Sequence, residues 1–286
     1  MIVRRLTVLL AALLFLPALA PAPEIVLPCR ADSLKFAVIG DSGSGGRRQY
    51  ETGKQLADAR EGFPFEFVLM LGDNLYGGQK ARDFFLKFEQ PYRPLVDAGV
   101  PFYAALGNHD DPAIQMKYKR FNMDGRRFYT FSKGPAQFFA LDSTYMSPQQ
   151  LKWLEEELTQ ANAKWKIVYM HHPIYSSGRR HGSDIALRTF IEPLLQKYGV
   201  DLVLAGHEHF YERIRPQKGI QYFTAGSAGK LREGNIRHGP LHQAGFDTDL
   251  SFMLMEIDGD DLYFQVISRL GKTVDRGSFV RRGAGQ

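Results

Sequence analysis

A chain of 286 residues with 44% hydrophobic and 13% aromatic residues can bury the core of one large α/β domain or two small ones, which excludes the disordered and fibrous classes. Its formal net charge of +5 comes from scattered basic pairs such as Arg47–Arg48, Arg126–Arg127 and Arg179–Arg180. A nucleic-acid surface needs a denser stripe, so no nucleic-acid partner is expected. The one cysteine, Cys29, excludes an internal disulfide and a thiolate metal cluster.

The chain begins with a short basic stretch, "MIVRR", and an apolar run, "LTVLLAALLFLPALA". That run is shorter than the ~20 residues of a membrane span and carries small residues at its end, the pattern of a secretory signal peptide. "ALA" (18–20) and "APA" (20–22) are both exit sites. We expect a signal at 1–22, with the cut as late as about residue 30, and a secreted or periplasmic protein with no stable membrane span after cleavage. Lipid modification of Cys29 is the membrane-anchored alternative, although Pro28 stands where a small residue is expected.

From residue 34, apolar strand-like runs alternate with helix-like segments. "LKFAVIGD" (34–41), "FEFVLMLGD" (65–73), "PFYAALGNHD" (101–110), "KWKIVYMHHP" (164–173) and "VDLVLAGHEH" (200–209) are each apolar and end abruptly in Gly or polar residues, as buried strands do. "SPQQLKWLEEEL" predicts a helix capped by Ser147, with Pro148 in its first turn and Leu151, Leu154 and Leu158 on one face. "IALRTFIEPLLQKYG" predicts another, stopped at Gly199. Beyond residue 220 the pattern becomes an antiparallel meander, with a hairpin at "DGDD" (258–261). Nothing marks an internal boundary, so residues 33–286 read as a single α/β domain: two sheets face to face with helices outside.

Function in open α/β sheets gathers where strands end. Here those ends carry Asp41; Asp73 and Tyr76; Asn108, His109 and Asp110; His171 and His172; His207 and His209. Each motif alone is weak, since "GDSG" is an ordinary turn and "HH" an ordinary surface pair. Together they take five of the eight histidines. Carboxylates, an amide oxygen and several imidazoles make up a ligand inventory for two hard-to-borderline cations, suited to hydrolysis between two metals about 3.5–4 Å apart.

In this order the five blocks resemble the calcineurin-like metallophosphoesterases, over roughly residues 35 to 230. The Tyr three residues after the second Asp resembles the mark of the purple acid phosphatases, and "GDNLYGG", "GNHD" and "GHEH" look most like their small, mammalian-type members. The resemblance implies a four-layer α/β/β/α sandwich of two mixed sheets, with a binuclear metal site at the strand ends. It implies ferric iron on Asp41, Asp73, Tyr76 and His209, and a divalent Fe, Zn or Mn on Asp73, Asn108, His171 and His207.

The activity it implies is hydrolysis of a small phosphate monoester by in-line attack of a metal-bound hydroxide. His109 would contact the phosphoryl group and protonate the leaving oxygen. His172 is a second candidate for that task, and Asp110 would orient His109. Lys230 and Arg232, in "AGSAGKLREG" (225–234), either meet an anionic substrate or belong to a flexible surface loop. His238 and His242 lie in an irregular stretch and are expected to bind no metal. The alternatives are a phosphodiesterase of the same fold without iron–tyrosinate and a non-catalytic periplasmic binding module. The residues carry no signal for oligomeric state.

Overall fold

The computed structural model describes residues 20–281 and residue 283. The expected export signal lies in residues 1–19 and a little beyond, so nearly all of it is outside the described residues. No helix among the described residues is long and apolar enough to cross a membrane.

The strands are β1 (Leu34–Ile39), β2 (Phe67–Leu71), β3 (Phe102–Ala105), β4 (Tyr129–Lys133), β5 (Ala136–Ala140), β6 (Trp165–Met170), β7 (Leu202–Ala205), β8 (Tyr211–Gln217), β9 (Ile220–Ala225), β10 (His242–Phe246), β11 (Ser251–Asp258), β12 (Asp261–Ser268) and β13 (Thr273–Val280). They form two mixed sheets, in the orders β13-β12-β11-β1-β2-β3 and β10-β8-β9-β7-β6-β5-β4. In the first, β1, β2 and β3 are parallel, and the β11–β12–β13 meander joins antiparallel to β1. In the second, β5, β6, β7 and β9 are parallel, flanked by antiparallel β4, β8 and β10.

The period-2 alternation of strands divides the second sheet between two cores. Trp165, Ile167 and Tyr169 of β6 face the first sheet and share its cluster with Phe36 and Phe67. Val168 and Met170, one residue out of step, pack instead with Leu154 and Leu158 of the Pro148–Gln160 helix and with Leu187 and Ile191 of the Ile185–Lys197 helix. Between the sheets, Phe138 sets its ring edge against Phe36 and Phe67, 5.4 Å from each. The Arg47–Gly62 helix lends Leu56 and Ala59 to the same cluster. The result is the four-layer α/β/β/α sandwich.

Two caps are those the sequence predicts. Ser147 accepts from the Gln150 N–H at 3.1 Å, and Gly199 stops the second helix at φ +64. Asp184 caps that second helix by accepting from the Leu187 N–H. The "DGDD" turn joins β11 to β12 as a hairpin, with Asp258 paired to Asp261. Some elements were not expected, β8 among them. A hairpin at 129–140 forms β4 and β5 at the edge of the second sheet. The stretch holding His242, expected to be irregular, supplies the opposite edge strand, β10.

Residues 24–30 lie along the first sheet. The Gln265 amide exchanges hydrogen bonds with the Glu24 carbonyl and the Val26 N–H. The Glu256 carboxylate accepts from the N–H groups of Cys29 and Arg30, at 2.8 and 2.6 Å. Glu256 and Gln265 are fully buried, so these contacts satisfy groups that water cannot reach. Cys29 lies within this seated segment, and its N–H is one of the two committed to Glu256.

Candidate metal centre

The ends of β1, β2 and β3 in one sheet and of β6 and β7 in the other deliver the site, each through a turn of one to three residues. Asp41, Asp73 and His207 all adopt left-handed backbone, at φ +52, +50 and +67. This costs an L-residue about 1–2 kcal/mol, and its concentration here marks a site held by its surroundings. Gly72 (φ +85) leaves no room for a side chain beside the His171 ring. A Cβ on Gly43 would collide with the Asn74 carbonyl. That close approach lets the Tyr76 N–H bond to the Gly43 carbonyl at 3.0 Å, which returns the tyrosine to Asp41.

The ligating atoms fall into two groups. In one, the Tyr76 hydroxyl donates to Asp41 Oδ1 at 3.0 Å and lies 3.1 Å from His209 Nε2, itself 3.3 Å from Asp41 Oδ1. In the other, His171 Nε2 lies 3.0 Å from Asn108 Oδ1 and 3.2 Å from His207 Nδ1. Asp73 stands between: it clusters with Asp41 and His209, and its Oδ1 is 3.4 Å from His171 Nε2. All seven residues expected as ligands are thus brought together.

The donor set fits cations. His171 spends its Nδ1 proton on the Leu71 carbonyl, 2.9 Å away, so Nε2 presents a lone pair to the oxygens of Asn108 and Asp73, which are acceptors themselves. Such a cluster is repulsive by itself and suited to a bound ion. Burial, then the charge of Asp73, raises the Asp41 carboxyl well above its ordinary range. Burial, then the Asp41 and Asp73 charges, likewise raises the Tyr76 phenol. Burial and the neighbouring imidazoles, His172 first, hold His171 well below the ordinary range. Burial, then His171, depresses His207 to about 2, and burial, then Arg232, depresses His209 to about 4. Neutral imidazoles are the metal-binding form.

His109 stands at the mouth. Its N–H donates to Asp73 Oδ1 at 2.9 Å and its half-exposed ring lies 4.9 Å from the Tyr76 ring. Asp110 does not orient that ring. Its carboxylate accepts from the N–H groups of Asn74, Leu75 and Gly107 and from the amides of Asn74 and Gln115, and so ties the Asp73 turn to the Asn108 turn. Every group around it is a donor, which explains why a carboxylate is needed there. Burial, then Asp73, pushes its pKa up to about 7 against those bonds. His172 places Nδ1 on Ser143 Oγ at 2.9 Å and its ring 4.4 Å from His207, and a ring nitrogen of it clusters with those of His171 and His207.

One imidazole at the site carries no expectation from the sequence. His181 stacks 4.4 Å from His207. Its segment, "SSGRRHG", follows no strand and so escapes a search of strand ends; the flanking glycine is the one local hint. It is positioned by Glu208, the fully buried residue inside "GHEH". Glu208 Oε1 accepts from the N–H groups of His181 and Gly182, and Oε2 from Arg232 and Asn235. Arg232 is thereby committed, while Lys230 Nζ sits 4.6 Å over the Tyr76 ring. Their loop is packed, with the Ala228 N–H on the Gly40 carbonyl. His242 pairs with Glu212 at 2.9 Å and meets the His238 ring edge-on.

The model of the family described as calcineurin-like phosphoesterase matches residues 34–211. The chain is 29% identical to tartrate-resistant acid phosphatase type 5 of Homo sapiens, over 93% of this chain and 98% of that one. It is 32% identical to purple acid phosphatase 4 of Arabidopsis thaliana, over 80% and 79%. Among solved structures, the purple acid phosphatase PPD1 of yellow lupin shares the fold with a TM-score of 0.69 at 18% identity, over 93% of this chain and 56% of that one.

Proposed function

The chain belongs to the calcineurin-like phosphoesterase family and, as a homologue of purple acid phosphatases, is a metal-dependent phosphoric ester hydrolase; within that class we propose that it is an exported acid phosphatase that hydrolyses phosphate monoesters at a ferric ion paired with a divalent Fe, Zn or Mn. The observation that carries this reading is the Tyr76 hydroxyl, 3.0 Å from Asp41 and 3.1 Å from His209. Burial and two carboxylates oppose ionisation of that phenol. A highly charged cation at the same spot reverses that balance, because a bound ion is the largest local charge.

In this reading Asp41, Tyr76 and His209 would hold the ferric ion and Asn108, His171 and His207 the divalent ion, with Asp73, which stands between the two groups, as a further ligand. When bound, the pair supplies Lewis acidity that activates water and neutralises phosphoryl charge. The chain's own contribution is placement. His109 lies beside Tyr76 and His181 beside His207, each able to donate a proton to a phosphoryl or leaving-group oxygen, and His172 is held by Ser143. Asp110 fixes the two turns that carry Asp73 and Asn108. Residues 33–286 act as one domain, and the apolar leader directs export.

Metal analysis and visible absorption of the purified protein test the reading. We expect iron and a phenolate-to-iron band that disappears in Tyr76→Phe. A colourless, iron-free protein with full monoesterase activity would overturn the iron–tyrosinate assignment and leave the phosphodiesterase alternative in its place.

A further inference from the structure

A cavity of about 450 Å³ opens beside the metal centre, in the size range of small-ligand sites. His181 is in its wall, and the same ring stacks on His207, so cavity and centre share a boundary. Arg179 and Arg237 line it with Ser183, and Ile185 and Leu241 give it an apolar side.

Two features make the arginines notable. The first is that their backbones are fixed. Gly178 and Ile236 form an antiparallel bridge, the Arg179 N–H donates to the Asn235 carbonyl at 2.8 Å, and the Arg237 N–H donates to the Ser177 carbonyl at 2.9 Å. The second is that, among the described residues, neither guanidinium has an ion pair or hydrogen bond. The carboxylates on nearby segments are engaged elsewhere. Glu208 is taken by Arg232 and Asn235, Glu212 by His242 and Ser177, Asp184 by the Leu187 N–H, and Asp247 by the Ile236 N–H. Two arginines thus line one cavity, and among the described residues neither is ion-paired.

We propose that this cavity binds a second phosphate, carried on the leaving group of the substrate, while the first phosphoryl group occupies the metal centre. Guanidinium forks match phosphate oxygens two at a time, and the apolar side accepts the organic skeleton between the two phosphates. The preferred substrates are then organic bisphosphates. This rests on the phosphomonoesterase reading above.

The test compares fructose 1,6-bisphosphate with fructose 6-phosphate as substrates of the wild-type protein and of an Arg179→Ala/Arg237→Ala variant. Both side chains are exposed and the segment is held by backbone bonds, so the variant should fold. In the wild type we expect kcat/KM to favour the bisphosphate, and in the variant that ratio to fall about tenfold. A ratio unchanged by the double substitution overturns the proposal. If neither ester nor any aryl phosphate is hydrolysed, the monoesterase reading itself fails. Calorimetric titration of both proteins with the two sugar phosphates then decides the cavity separately. Tighter binding of the bisphosphate, lost in the variant, supports it, and equal affinities reject it.

Discussion

The imidazole of His171, at the end of a strand in one sheet, donates its Nδ1 proton to the carbonyl of Leu71, the last residue of a strand in the other, across 2.9 Å. This bond fixes the tautomer and aims Nε2 at Asn108, Asp73 and His207. His171→Ala should remove a ligand and leave the other half of the site standing. We expect metal content to fall from two ions towards one per chain, and aryl phosphate turnover to fall by about two orders of magnitude or more. Elemental analysis and steady-state rates check both.

Asp110 is surrounded by donors only. In Asp110→Asn the new amide must turn N–H groups toward N–H groups, although size and shape are kept. The expected cost is about 2–4 kcal/mol of stability in chemical denaturation, with a loss of metal affinity as the Asp73 and Asn108 turns loosen. Unchanged stability would show that the carboxylate is not what joins the turns.

Glu208 links the His181 segment to Arg232 without being a ligand. Glu208→Ala should leave both metal ions in place and lower kcat/KM by about 10- to 100-fold through misplacement of His181. Its pH–rate profile should also change, since His181 titrates in a new setting. Loss of metal as well would mean that Glu208 supports the ligands directly.

The pH dependence of the chelated protein follows from the histidines. His209 is depressed to about 4 and His207 to about 2, both mainly by burial. A depressed pKa means that the unfolded chain takes up protons first, so the stabilisation is complete above about pH 6.5 and is lost as pH falls through 6.5 towards 4. For His209 alone this amounts to on the order of 3 kcal/mol. Thermal unfolding of EDTA-treated protein between pH 7 and 4 should show a falling midpoint, with a shallower slope in His209→Asn.

The seated segment at residues 24–30 sets where the amino terminus can begin. Protein starting at residue 23 should be as stable as one starting at residue 20, since among the described residues it loses only the hydrogen bond of Gln55 with the Pro21 carbonyl and a longer one to Ala20. Protein starting at residue 31 leaves buried Glu256 without the N–H groups of Cys29 and Arg30, and should lose at least about 3 kcal/mol. Denaturant titration of the two forms distinguishes them.

The candidate ligands were legible because each follows an apolar strand, and strand ends are where a sheet-based site must lie. What stayed hidden was held by contacts between distant segments. His181 reaches the centre through Glu208, not through a strand of its own. The five bonds of Asp110 come from the Asp73 turn, from its own turn and from Gln115 in the short helix that follows, so its neighbour in sequence, His109, was a poor guide to its partners. β4 and β10 are short edge strands whose half-polar residues give a weaker pattern than the buried runs, and β5 is only five residues long.

The same crossing of the sheets bears on how the chain is secured. Tyr76 and His209 are 133 positions apart and Asn108 and His171 are 63 apart, yet each pair meets at one ligand group. An ion bound at either group closes a loop of that length. In a chain with a single cysteine, the centre is then also a pair of cross-links, performing the task that disulfides perform in cysteine-rich proteins. Stripping the ions should release the sheets to open at their ends as well as stop the chemistry, so resistance to proteolysis would report metal occupancy as faithfully as turnover does.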